Sequence, residues 1–222
     1  MKAVSKPTGQ SQKSKTRRRR EPRIRAIITA AEQVFLEKGF EAGSLDDVAR
    51  RANASKATIY AHFGNKVGLF RSIINEKISA VAAPLQHAAA DHVPAREVLR
   101  LFGTAYLTTL LSSVPVKFYR LMVSQGGQFP ELAKTWFASG PKVTIESLAV
   151  FLKERTASGE LDVGDPEQAA EFFLMALRGV LHLRAVTQLS KPPYTKDIAK
   201  KTAAAADMFM RAYGVPQIDN RR

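Results

Sequence analysis

The sequence predicts an all-α fold, on three observations. Apolar residues recur at three- and four-residue spacing from Ile24 almost to the C-terminus. No stretch alternates apolar and polar residues as a half-buried strand does. Gly and Pro fall between the periodic stretches, at Gly39, Pro94, Pro115, Gly126-Gly127, Pro130, Gly159, Pro166 and Gly214, where helices stop and start.

Composition narrows the classes. A chain of 222 residues can bury a sizeable core. It has no cysteine, which excludes disulfides, thiolate zinc sites and cysteine nucleophiles and is compatible with the cytoplasm. No apolar run approaches the ~18 residues that span a bilayer, and the N-terminus lacks the apolar centre of a secretory signal. A cytoplasmic protein with no membrane partner is expected. The formal net charge is +14. Residues 1–23 alone carry nine Lys or Arg against one acid, Glu21, whereas residues 24–70 are nearly balanced. A short, strongly basic tail suits a polyanionic partner.

In chain order, residues 1–21 are almost devoid of apolar groups and are expected to form a disordered basic arm. Arg17, Arg18, Arg19 and Arg20 either enter a DNA minor groove, as homeodomain arms do, or add only non-specific attraction. Pro22 can start a helix, with Ile24, Ile27, Ile28, Ala31, Val34 and Phe35 on its inner face and Gly39 as the residue beyond its C-cap. A long helix opens at Lys66 and runs to about His87, with Leu69, Phe70, Ile73, Ile74, Ile78 and Val81 inward. Further helices follow from Pro94 to Leu110, from Pro115 to Gly126, from Pro130 to Gly159 with a kink at Gly140-Pro141, from Asp165 to about Leu189, and from Thr195 to Tyr213.

The stretch from Ser44 to Lys66 organises the rest. Ser44 is a good N-cap and Asp47 a favourable first-turn carboxylate; Leu45, Val48 and Ala49 form one apolar face. The helix stops near Ala52, and Asn53 tolerates a left-handed turn. Ser55 caps a second helix on which Ile59 and Phe63 point inward. Lys56, Thr58, Tyr60 and His62 then face out, each able to donate a hydrogen bond to a phosphate or a base edge. This is a helix-turn-helix.

The segment from Ile24 to Leu69 resembles the DNA-binding domain of TetR-type (TetR/AcrR) bacterial transcriptional regulators. The resemblance rests on Gly39-Phe40, on Ser44-Leu45 with Val48-Ala49, and above all on Thr58-Ile59-Tyr60-Ala61-His62-Phe63 with Lys66. Asn53 stands where the family often has Gly, and Ala61 where it often has an aromatic. QFPELAKTWFASGP, a long helix, and GELDVGDPEQAAEFFLMALRG resemble the ligand-binding domain of the AefR-like subgroup. The resemblance implies a three-helix helix-turn-helix domain at 22–66, joined by the long linking helix to a helical ligand-binding and dimerisation domain at 67–214, with a polar tail at 215–222.

The helix from Glu167 to Leu189 is apolar nearly all round, so one side can meet its own domain and the other a second subunit. Phe172, Ala176, Val180 and Leu183, with Phe209 and Met210 of the final helix, are the candidate dimer interface, as the resemblance also implies; the alternative is two ordinary core helices. A recognition helix about 12 Å long reads few bases, and a homodimer reads two half-sites. The resemblance further implies a pocket. Phe102, Tyr106, Leu110, Phe118, Met122, Trp136, Phe137 and Phe173 could line it for an apolar or aromatic ligand, or could simply fill the core.

No Ser/His/Asp set, metal-ligand spacing or phosphate loop is present, so neither an enzyme nor a cofactor is expected. His87 and His92, beside Asp91, are five apart, which is not a same-face spacing, and no metal is expected there. His182 reads as a packed or bridging residue. The expected function is a DNA-binding transcriptional regulator: a homodimeric repressor on an inverted-repeat operator in double-stranded DNA, released by a small-molecule effector. Lys56 and Thr58 would read bases; Ser44, Ser55, Tyr60, His62 and Lys66 would hold phosphates. The alternative is a non-specific or architectural DNA binder without a ligand.

Overall fold

The computed structural model describes residues 10–88, 93–192 and 194–216, with side chains from residue 21 onward, Ala88 excepted. Among these residues the chain is helical: α1 (Gln10–Ala42), α2 (Leu45–Arg51), α3 (Lys56–Phe63), α4 (Lys66–Ala88), α5 (Ala95–Leu110), α6 (Ser113–Gln125), α7 (Pro130–Ser139), α8 (Pro141–Ala157), α9 (Pro166–Val186) and α10 (Thr195–Tyr213). The only β pairing among them is an isolated antiparallel bridge, Leu161 with Gly214. The chain divides into two compact units, Met1–Ile73 and Ile74–Arg222, with the division inside α4.

In the first unit, α1 begins before Pro22, where the sequence reading expects an arm without order. Gln, Ser, Lys and Arg are acceptable helix residues, and that reading weighed only their inability to bury apolar surface. The side chains of Arg17–Arg20 lie outside the described residues. Ile27, Ala31, Val34 and Phe35 of α1 are buried with Val48 of α2, Ile59 of α3 and Leu69, Phe70 and Ile73 of α4. Gly39 has φ 79° and interrupts α1, a conformation open chiefly to glycine. The turn it makes sends Phe40 back between Phe35 (ring centroids 5.3 Å) and Phe70 (5.7 Å).

In the second unit, α5 packs on α10 and α9, α8 on α9 and α7, and α6 on α9. Leu99, Phe102, Leu107, Leu148, Leu152, Ala170, Phe173, Leu177, Ala205, Ala206 and Phe209 form its core. Each large side chain so buried contributes about 1.5–3 kcal/mol of transfer free energy. Asp162 N donates to Tyr213 O at 2.8 Å and Val215 N to Glu160 O at 3.1 Å, tying the loop after α8 to the end of α10. Gly140 separates α7 from α8 outright, where the sequence suggests only a kink. α9 stops at Val186 and is interrupted at Gly179 (φ 37°, ψ −144°). The apolar pattern runs unbroken across Gly179, which is why the sequence reading passes over it.

Candidate nucleic-acid interface and effector domain

The helix-turn-helix is built from local caps. Ser44 Oγ accepts from Asp47 N (3.1 Å), while Ser44 N (3.2 Å) and Ser44 Oγ (2.8 Å) donate to the Asp47 carboxylate, a reciprocal capping box. Lys38 Nζ lies 2.8 Å from the same carboxylate. The hydrogen bond from Lys38, then those from Ser44, hold the Asp47 pKa far below the ordinary carboxylate value. Asn53, at φ 47°, makes the turn in the left-handed conformation the sequence reading assigns to it. Ser55 Oγ accepts from Thr58 N (3.1 Å) and shares a 2.8 Å hydrogen bond with Thr58 Oγ1. Arg51 grips Glu37 with two hydrogen bonds, at 2.8 and 2.6 Å, fixing α2 on α1.

The outer face of α3 comprises Lys56, Ala57, Tyr60 and Ala61, all exposed; Thr58 and His62 are half-buried to one side. Lys56 Nζ is held by Asp46 Oδ2 at 2.9 Å across the turn, which raises its pKa. Tyr60 is 48% exposed. Ala57 and Ala61 lie exposed beside Lys56 and Tyr60, and a sequence pattern of hydrogen-bond donors does not mark them. An exposed methyl on a recognition helix permits close approach and suits a thymine methyl.

Two of the residues expected at phosphate have their donors engaged within the chain. Both donors of Ser44 go to Asp47. Lys66 turns inward: Nζ donates to Glu41 O at 2.9 Å and sits 4.6 Å from the Phe40 ring centroid. Burial lowers its pKa. Lys66 thereby ties the start of α4 to the end of α1, through a carbonyl left open by the helix end and through a cation–π contact.

In the second unit, Phe102 and Phe173 are fully buried and Phe118 and Met122 nearly so. Tyr106 stacks on Phe102 (centroids 6.2 Å, planes 11° apart), and burial pushes its hydroxyl pKa up to about 12. Leu110 and Trp136 are half-buried, Trp136 beside Tyr119. Phe137, also expected in the pocket, is 52% exposed and lies outside the buried core. Of the expected dimer residues, Phe172, Val180 and Leu183 are more than half exposed, and Met175 joins them on α9. Ala176 and Met210 are half-buried. Phe209 is 3% exposed, packed on Phe173 (5.4 Å) and Tyr213 (4.7 Å), and belongs to its own core. His182 is packed, as expected. His87 Nδ1 lies 2.7 Å from Ala83 O in its own helix; Asp91 and His92 lie outside the described residues. Among the described residues there is no cluster of metal-ligating side chains, and no helix is long and apolar enough to cross a membrane.

Residues 27–73 match the family of bacterial regulatory proteins of the tetR type, and residues 97–215 match the C-terminal domain of AefR-like transcriptional repressors. The HTH-type transcriptional repressor BepR of Brucella suis is 38% identical over 88 residues, 36% of this chain; the chain spans only 42% of that protein. A TetR-family regulator from Mesorhizobium loti superposes with TM-score 0.73 at 25% identity, covering 88% of this chain and 98% of that one. The flavonoid-responsive regulator FrrA superposes with TM-score 0.66 at 36% identity, covering 89% of this chain and all of that one. These relatives are regulators rather than enzymes. The helix-turn-helix, the helical second unit and these matches over both place the chain in the TetR family of bacterial DNA-binding transcriptional regulators, with a C-terminal domain of the AefR-like type.

Proposed function

We propose that this chain is a homodimeric, cytoplasmic repressor that reads an inverted-repeat operator and is released from it by a small aromatic or apolar ligand. One structural observation supports it above the rest: the chain carries an exposed α3 face of Lys56, Ala57, Tyr60 and Ala61 together with an exposed apolar stripe, Phe172, Met175, Val180 and Leu183, on α9. A stripe of that kind on a soluble protein needs a covering surface, and a second copy supplies an identical one about a two-fold axis. The repressor role follows the AefR-like family description and BepR; the aromatic ligand follows FrrA.

Lys56, released from Asp46, reads a base, with Thr58 and the methyls of Ala57 and Ala61 beside it. Tyr60, His62 and Ser55 hold phosphates, and the Arg17–Arg20 arm adds affinity that fades with salt. Lys66 positions rather than contacts. A ligand that favours one state of the second unit shifts DNA affinity only by its differential affinity for the two states.

Selection of bound sequences from random duplex DNA at near-physiological salt, followed by complex stoichiometry, tests this. An enriched inverted repeat bound by two or four chains supports the dimeric reader. No enrichment, with affinity that collapses in salt, would instead make the chain a non-specific binder.

A further inference from the structure

A partly buried cluster in the second unit has a gap in its hydrogen bonding. Tyr119, on α6, sits among three side chains. The His182 ring meets it edge-on at 4.7 Å, the Arg178 guanidinium lies 5.5 Å from its centroid, and Trp136 of α7 lies 6.1 Å away. His182 is 5% exposed, and its Nε2 has no hydrogen-bond partner. A buried imidazole nitrogen left open is costly, and a phenyl ring would pack on Tyr119 without that cost. Arg178 is half-buried, with its guanidinium over the Tyr119 ring. Burial, then Arg178, lowers the His182 pKa to about 4, so the imidazole is neutral at physiological pH. Tyr106 lies near enough to Arg178 for the guanidinium to counter part of its own rise. Gly179, between the two polar residues, breaks α9 with φ 37°, so Arg178 and His182 stand on either side of an irregular turn rather than on one regular helix face.

We propose that Arg178 and His182, with the ring faces of Tyr119 and Trp136, form the effector site, and that they select an acidic hydroxylated aromatic rather than a plain hydrocarbon. This rests on the ligand-released reading of the second unit and deepens it. The guanidinium takes an acidic oxygen, phenolate or carboxylate. Neutral Nε2 takes a hydroxyl or carbonyl. The Tyr119 and Trp136 rings take the aromatic plane, by offset or edge contacts. A long acyl chain would leave both polar groups unpaired and is disfavoured on that account.

Trp136 is the only tryptophan of the chain, so its fluorescence reports occupancy at this cluster. The probes are apigenin, a hydroxylated flavone, and its parent flavone, which carries no hydroxyl. Each is titrated into the full chain by calorimetry and by Trp136 quenching. Wild type should bind apigenin at least about tenfold more tightly than flavone. His182→Phe and Arg178→Met should each lose about five- to tenfold for apigenin and change flavone by less than about twofold. Arg178→Lys should keep part of the loss at bay. His182→Phe should melt no lower than wild type without ligand, because it removes an unpaired nitrogen and keeps the ring.

Equal apigenin affinity in wild type and both variants, with wild-type operator complexes still released by apigenin, overturns the site and leaves the ligand reading standing. Loss of apigenin and flavone alike in the variants also overturns it, since that marks general damage. If wild type binds neither probe and its operator complex ignores both, the ligand reading falls and the site with it.

Discussion

The two units treat their polar groups differently. In the helix-turn-helix, Ser44 closes on Asp47, Ser55 on Thr58, Arg51 on Glu37 and Lys66 on the Glu41 carbonyl. In the second unit lie all four buried side-chain atoms that, among the described residues, lack a hydrogen-bond partner: Gln125 Oε1, Thr156 Oγ1, His182 Nε2 and Ser190 Oγ. Native interiors leave few such groups, and each calls for a cause. The DNA-reading unit is thus self-sufficient, its geometry fixed before any duplex arrives. Of the four, His182 Nε2 is the one that belongs to the Tyr119 cluster.

The largest effect should come from breaking the self-sufficient unit. Ile59 is fully buried at the centre of its three helices, and Ile59→Ala should cost about 2–5 kcal/mol in urea unfolding. DNA binding should fall with it while apigenin still quenches Trp136; loss of both together would show that the two units do not divide the work in this way. Next comes acid. His182 has a folded pKa lowered from 6.5 to about 4, so the unfolded chain takes up the proton first as pH falls. Its contribution is complete above pH 6.5 and drains away between 6.5 and about 4. Asp47, also lowered, contributes above the ordinary value of 3.8 and is lost only as pH falls below it. Melting followed at Trp136 should therefore decline through the higher window, and His182→Phe should flatten that decline. An unchanged profile in the variant would place the titrating group elsewhere. Tyr60→Phe should weaken every duplex alike by about 0.5–1.5 kcal/mol per contact; a change confined to one sequence would make Tyr60 a base reader.

Legibility followed the same divide. The helix-turn-helix is a local object: caps lie three residues from what they cap, and turn residues are few, so Ser44, Asn53, Ser55 and Ile59 all stand where the sequence reading puts them. The differences there are of direction, not position. Lys66 opens α4 as the sequence leads one to expect, and only the packing of Phe40 beneath it shows that its ammonium turns inward. In the second unit the helices were legible and their faces only in part. Phe172, Val180 and Leu183 are exposed as an interface stripe would be and Phe173 is buried, whereas Phe209, expected at the interface, packs in the core, and Phe137, expected in a pocket, is 52% exposed. The Arg178–His182 cluster left no sequence signal, because it depends on Tyr119 arriving from a different helix.

The smallest effect separates a cap from a contact at Ser44. Ser44→Ala removes the acceptor for Asp47 N and the hydroxyl donor to its carboxylate, and should cost about 1 kcal/mol of stability, whereas Ser44→Gly should cost only a few tenths. Ser44 N still donates to Asp47 in both, and Lys38 still faces the carboxylate, so the helix survives. If Ser44 acts only as a cap, operator affinity in both variants should follow the folded fraction, and well below the melting transition it should match wild type. A phosphate contact predicts the opposite: both variants lose the same affinity at low temperature, because both lack the hydroxyl, whatever their stability. The comparison of Ala with Gly thus isolates the hydroxyl's role in binding from its role in folding, and it does so at the one position where the sequence pattern and the hydrogen bonds disagree most directly.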